Sequence, residues 1–245
     1  MDKCDYYVLV LFNIKMPHLG NNTNPEWLDY RLEIFRRYTL KSLLKQTDGH
    51  FRIWMACLEE SEDILIPKIE VARKKNPMMD IVDFVFDEKV ACDQFAGNME
   101  HLYFLKLDSD DMYRKDTIKR TRELLGHSDE ISLIMFCNGF IYDIKTVRLH
   151  TFSRWSITTY AVFYPPRTFD HNSFRKYCIC DQTKVRKRFG PLINMDNMVC
   201  LIDHDMNLHN DPRRHGVEIK KRTGQFDLLP KNKTKEILVN FGIVG

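Results

Sequence analysis

The chain predicts a doubly wound, Rossmann-like α/β fold with a mostly parallel sheet flanked by helices, and three observations carry that. Short apolar runs alternate with helix-patterned stretches through the first ~110 residues, the order that builds parallel sheets. The fourth run, Tyr103-Phe104-Leu105-Lys106-Leu107, ends in Asp108-Ser109-Asp110-Asp111, three carboxylates within four residues. Ligands of open α/β sheets gather outside the carboxyl ends of the strands, where this turn would lie. Finally, neither Gly-x-Gly-x-x-Gly nor Gly-x-x-x-x-Gly-Lys-Ser/Thr occurs, so no glycine loop holds a phosphate here.

Each element follows from its residues. Tyr6 to Phe12 is aromatic and β-branched, a strand ending at Asn13. Residues 17–25 read as a loop, and Asn24-Pro25 starts a helix, with Asn as cap and Pro at the first helical position. From Trp27 the pattern is helical, with Leu28, Leu32, Phe35 and Thr39 on one side and Asp48-Gly49 as the stop. Phe51 to Leu58 is a second strand, and Pro67 opens a helix running to about Lys75. Ile81 to Phe86 is a third strand, and a short helix over 92–100 leads into the aspartate strand. Beyond it, Lys115 to Leu125 reads as a helix closed by Gly126. Ile131 to Phe136 reads as a strand, and Ile141-Tyr142 with Val147-Arg148-Leu149 as a hairpin.

Composition bounds the class. The chain has 245 residues, 44% hydrophobic and 29% charged, enough for one domain with a sizeable core. No stretch reaches the roughly 18 apolar residues of a membrane span. The acidic start Met1-Asp2-Lys3-Cys4-Asp5 has no apolar core of a leader, and the seven cysteines form no Cys-x-x-Cys pair. Free thiols in a cytoplasmic setting are the expectation. Residues 1–149 carry 21 basic against 25 acidic side chains, and residues 150–245 carry 16 against 9. The basic final portion predicts an anionic partner (a diphosphate, a lipid headgroup or nucleic acid) or else a solvated basic face.

The aspartates supply the chemistry. Three carboxylates this close repel one another unless a cation neutralises them, and hard oxygen ligands suit Mg²⁺ or Mn²⁺. An Asp-rich turn capping the next helix is the plainer alternative.

Two segments resemble a known family. Arg31-x-x-x-Phe35-x-x-Tyr38-Thr39-Leu40-x-Ser42-Leu43-x-x-Gln46-Thr47 is similar to the first helix of GT-A glycosyltransferases, and Leu105 to Asp111 to their Asp-x-Asp turn. The match is nearest to the rhamnosyltransferase-like family of bacteria and viruses, whose late His-x-x-Asn reads His204-Asp205-Met206-Asn207 here. The resemblance implies a GT-A domain over residues 1–210, with a donor half of about 1–112 and an acceptor half of 113–210. Residues 211–245 would form a basic extension with one short helix near 233–241. It implies a nucleotide-diphosphate sugar donor, with Asp108 at that donor, Asp110 as direct ligand of Mn²⁺ or Mg²⁺, and Asp111 in support. Asn13 and Arg31 are placed to meet the nucleoside or diphosphate; otherwise they are a turn asparagine and a surface arginine. The Ala-Arg-Asn element of many such enzymes survives only as Asn98 in Asp93-Gln94-Phe95-Ala96-Gly97-Asn98. His204, with His209 as reserve, would complete the metal or diphosphate site.

The acceptor half offers Trp155, Tyr160, Phe163 and Tyr164, a sugar-stacking face or plain core. Asp196, in the polar turn after Gly190-Pro191, is the expected catalytic base of an inverting transfer, with Asp203 and Asp205 in reserve; a helix cap is its alternative role. The reading is a metal-dependent glycosyltransferase with a saccharide acceptor. DNA carrying a hydroxylated base is the other acceptor considered, since the final portion is basic. A non-catalytic carbohydrate- or nucleic-acid-binding module is the reading from another class.

Overall fold

The computed structural model describes residues 5–14, 23–95, 101–125, 129–153, 159–179, 193–204 and 227–243. Its main layer is a seven-stranded sheet in the order β10-β6-β9-β4-β1-β2-β3. These strands are β1 (Tyr6–Leu11), β2 (Arg52–Ala56), β3 (Val82–Val85), β4 (Leu102–Asp108), β6 (Ser132–Met135), β9 (Tyr160–Tyr164) and β10 (Ile193–Asn194). All run parallel except β9, which is antiparallel to both neighbours. Every residue of β1 is buried, as a parallel strand covered on both faces must be.

A second sheet, β5-β11-β7-β8, is built from β5 (Met112–Tyr113), β7 (Asn138–Asp143), β8 (Arg148–Ser153) and β11 (Val199–Asp203). The β7–β8 hairpin forms as expected, with Asp143 paired to Arg148. The two-residue β5 has no signature in the sequence, because its strand character comes only from pairing with β11. The later half is not a separate layer: β6, β9 and β10 extend the first sheet.

Helices cover both layers. α1 (Pro25–Ile34) is capped by Asn24, whose side chain accepts from the Glu26 and Trp27 amides at 2.8 and 3.3 Å. It continues through a wider turn over Phe35–Thr39 into α2 (Leu40–Leu44). α3 spans Glu62–Lys75, so Pro67 lies inside it rather than at its start. The acidic first turn, Glu62 and Asp63, begins the helix, and Leu65, Ile69 and Ala72 bury one stripe of it. α4 (Glu88–Phe95) also begins earlier than its apolar residues indicate, because Asp87 receives the Val90 amide at 2.9 Å. α5 (Thr117–Leu125) buries Thr117, Ile118, Thr121 and Leu125. α6 (His171–Tyr177) opens on a reciprocal Asp170–Ser173 capping box. α7 (Lys231–Val239) lays Leu238, followed by Phe241, against the second sheet, where Phe140 meets Phe241 edge-on at 6.0 Å.

The core is aromatic. Trp54 stacks on Phe174 at 5.2 Å and meets Phe104 edge-on, tying β2, β4 and α6 together. Tyr160, Phe163 and Tyr164 are buried in β9 and belong to this core, not to a sugar face; Trp155 lies outside the described residues. None of the described cysteines is in a disulfide. No described helix is long and apolar enough to cross a membrane.

Within the second sheet β7 and β11 approach closely at Gly139, where an added Cβ would press into the carbonyl oxygen of Val199 in β11. Gly139→Ala is therefore expected to cost about 1–3 kcal/mol through overpacking, read as a lower urea midpoint. An unchanged midpoint would mean that the β7–β11 contact is soft.

Candidate active site

The chain runs β1, β2, β3 outward and then returns to β4 on the other side of β1, so the order reverses between β1 and β4. Crevices for ligands open at such switch points, at the carboxyl ends of the strands. Leu11 and Asp108 face each other across this one, and Asn13 stands just beyond. Asn13 is buried, and its side-chain oxygen accepts the Leu58 amide at 3.0 Å, joining the exits of β1 and β2.

The aspartate turn is held by charge. Asp110 is buried, and its Oδ2 accepts from Arg31 Nη1 at 2.7 Å, with Arg31 Nη2 at 3.3 Å from Oδ1. Arg31 Nη2 also donates to Ser109 Oγ, and its guanidinium lies 5.5 Å from the Trp27 ring centre. Arg31 is thus a buried residue facing the turn, not a surface arginine. His204, at the exit of β11, places Nε2 3.1 Å from the same Oδ2 and 3.5 Å from Arg31 Nη1. The Tyr30 ring covers the imidazole at 5.4 Å.

These surroundings split the carboxylates. Burial alone would raise the Asp110 carboxyl. The Arg31 charge and hydrogen bonds from His204 and Arg31 outweigh it, holding the group well below the usual range. Asp111 goes the other way: burial, then the charges of Asp110 and Asp108, push it well above that range. Its side chain accepts the Ile202 amide at 3.2 Å, so Asp111 anchors the turn to β11. Asp108 is half-buried at the edge of the crevice.

A carboxylate oxygen and an imidazole nitrogen suit Mn²⁺ or Mg²⁺ by chemistry. Their 3.1 Å separation also fits, since adjacent ligands of an octahedral ion about 2.1 Å away stand about 3 Å apart. His204 Nδ1 is buried without a hydrogen-bond partner among the described residues. Among those residues, however, no three His, Cys, Asp or Glu side chains converge on a cation site. Asp110 and His204 are thus the two side chains that could hold such an ion, and substrate oxygens and water would have to supply the rest, a common way for Mg²⁺ to be held.

Asp196 stands apart from this cluster. Asn194 aligns with Met135, Met135 with Tyr160 and Tyr160 with Lys106, so Asp196 sits near the level of Asp108 on the same sheet edge. Three strand spacings place the two backbones about 14 Å apart. The exposed carboxylate accepts from Asn138 Nδ2 at 2.6 Å and Asn194 Nδ2 at 2.7 Å. A strand follows it, so the helix-cap role is excluded. Asp203 ends β11 beside His204. Asn98, Asp205, Asn207, His209 and the basic clusters at 184–188 and 213–222 lie outside the described residues.

Sequence reasoning passed over Ser109, Tyr30 and the polar face of α1–α2. Neither residue belongs to a sequence pattern that marks a site, and only the packing brings them to Arg31 and His204.

A family model described as "Putative rhamnosyl transferase" matches residues 21–164, from the start of α1 to the end of β9. Among solved structures, S. aureus TarS is similar at 14% identity and a TM-score of 0.43, over 97% of this chain and 42% of that one. The chain thus spans less than half the length of TarS. A structure described as a "putative nucleotide-diphospho-sugar transferase" from Desulfovibrio desulfuricans G20 is similar at 12% identity and a TM-score of 0.42, over 86% and 91% of the two chains. No curated protein matches.

The Arg31–Asp110 pair predicts strong coupling. Arg31→Met should cost about 3–5 kcal/mol by leaving Asp110 buried without its counter-charge. The double variant Arg31→Met/Asp110→Asn should cost clearly less than the sum of the single changes. Additive losses in urea unfolding would show that the pair contributes no coupling.

Proposed function

The chain belongs to the family described as putative rhamnosyl transferases, and on that premise we propose that it is a glycosyltransferase. It moves a sugar from a nucleoside-diphosphate donor to a hydroxyl acceptor, with a divalent cation and inversion at the anomeric carbon. One observation carries the reading: Asp108 and Asp110 end the central strand at the switch-point crevice, with Arg31 and His204 converging on Asp110.

The roles follow from the geometry. Asp110 and His204 would hold Mn²⁺ or Mg²⁺, which supplies Lewis-acid stabilisation of the departing diphosphate. Asp108 and Asn13, at the mouth of the crevice, face the nucleoside side of the donor. Arg31 is always charged and forked, so it can serve a carboxylate or a phosphate equally well. It keeps Asp110 ionised and fixed, and its Ser109 bond fixes the turn. Asp196 is proposed as the base that takes the proton from the attacking acceptor hydroxyl. Asn138 and Asn194 both hold one oxygen of its carboxylate, fixing its direction. The ~14 Å between the turns leaves room for a sugar and an acceptor.

A saccharide is the proposed acceptor. DNA is the second reading, favoured by the 16 basic against 9 acidic residues in the final 96. The two separate by salt: a DNA acceptor loses affinity steeply as salt rises, because neutralised phosphates release counterions.

A nucleotide-sugar panel, read by thermal shift with and without Mn²⁺, tests the donor, since a ligand that binds only the native state raises its stability. One donor should stabilise the protein in Mn²⁺, and chelation should remove both that shift and turnover. Asp110→Asn should abolish turnover while circular dichroism still reports a folded protein. Wild-type turnover in that variant would remove the metal assignment.

Asp196→Asn should leave donor stabilisation intact but cut transfer by at least about a hundredfold, the share a general base contributes. Loss of donor binding would move Asp196 to a binding role, and retention of the anomeric configuration would remove the need for this base.

A further inference from the structure

The first helix carries a second set of contacts that neither the donor nor the acceptor reading uses. Thr39 Oγ1 donates to the Ser109 carbonyl at 3.0 Å. Ser42 Oγ donates to the Thr39 carbonyl at 2.8 Å and accepts the Tyr113 amide at 3.3 Å. Gln46 donates to the Arg114 carbonyl at 2.8 Å and accepts the Ile118 amide at 3.1 Å. Thr39 and Ser42 on the helix, with Gln46 just past its C-cap, thus serve four backbone groups between residues 109 and 118. Thr39 and Ser42 are fully buried, where an unmet backbone carbonyl or amide costs about 1–3 kcal/mol.

The wide turn at Phe35–Thr39 explains how Arg31 joins the same face. In a straight α-helix, residues eight apart point about 80° away from each other. Here the Leu40 amide reaches back five residues to the Phe35 carbonyl, inserting one extra residue in the turn. Two turns then take eight residues rather than about seven, so Arg31 and Thr39 face the same peptide. Arg31 takes the side chains of Ser109 and Asp110, and Thr39 takes the backbone of Ser109.

We propose that Thr39, with Ser42 and Gln46, is a positioning element that holds the aspartate turn in the shape its ligand requires. This rests on the donor-site reading for its consequence, but not for the contacts themselves. Thr39→Val keeps the shape and deletes the hydroxyl, while Thr39→Ser keeps the hydroxyl.

Two measurements test it. The first is amide exchange of the free protein, which reports local opening. Thr39→Val should speed exchange across 109–114 by at least about tenfold, with β1 unchanged and Thr39→Ser within about twofold of wild type. The second is kinetic, well below the unfolding midpoint, with the nucleotide-sugar that stabilises the wild-type protein most. Thr39→Val should lower kcat/KM about tenfold through a higher donor KM, and Thr39→Ser should restore it, an effect of about 1.4 kcal/mol. A role confined to stability would lower the midpoint and leave KM alone. Wild-type exchange at 109–114 in Thr39→Val, or an unchanged donor KM, overturns the proposal. If no nucleotide-sugar binds the wild-type protein, the glycosyltransferase reading fails on that result. The exchange arm then decides the clamp alone.

Discussion

Everything at this site depends on the burial of one ionised carboxylate. Asp110 sits inside the protein, where an isolated charge would be too costly to keep, and the Arg31 guanidinium at 2.7 Å is what makes its ionised form stable there. The same charge reaches Asp111 too weakly to offset its surroundings. That carboxyl is pushed up by burial and by its two neighbours, and it takes the Ile202 amide as partner. The three carboxylates are thus sorted into an ionised centre, an anchor and a half-buried edge group. A second cation brought by a ligand would find the ionised member already formed and oriented.

Placement of Arg31 in turn constrains the helix. A guanidinium has to arrive flat against the turn while Thr39 reaches the peptide one residue before Asp110, and the extra residue at Phe35–Thr39 allows both. Ile34 and Tyr38, beside these residues, pack with the second sheet and with Leu238 and Phe241. The helix therefore sets its polar stripe on the aspartate segment and its apolar stripe on the small sheet. A shift of either would move the other.

The fold was legible where the signal was local and the site where it was chemical. Alternating apolar runs showed β1 to β4 because parallel strands bury both faces. Asn24-Pro25 marked the helix start because cap and ring act within one turn. Pro67 misled because a proline is permitted at a helix start and was taken to mark one, while the true start lay with the acidic pair Glu62-Asp63. β5 was invisible, since two residues have no periodicity and depend on β11 for their ladder. Asp110, Arg31 and His204 were each singled out in the sequence, but the contact that brings them together joins residues 79 and 94 positions apart, and no local signal shows it. Thr39, Ser42 and Gln46 stood in the sequence pattern without a role, because a hydroxyl or amide on a helix face has no chemistry until something is packed against it.

The turn also lies on the seam between the two sheets. Asp108 is the last residue of β4 in the large sheet, and Met112 is the first of β5 in the small one. His204 follows the last residue of β11, the partner of β5, so the imidazole reaches Asp110 Oδ2 from the end of the small sheet. A group bound there necessarily touches both layers. The large sheet contributes the rigid crevice between β1 and β4; the small sheet contributes His204 and, through β7, the Asn138 amide on Asp196. Two carboxylates in different surroundings are thereby kept apart. Asp110 is buried against a guanidinium, and Asp196 is exposed and held by neutral amides. The sequence NMDN in the turn and Asn138 across from it supply just such neutral partners.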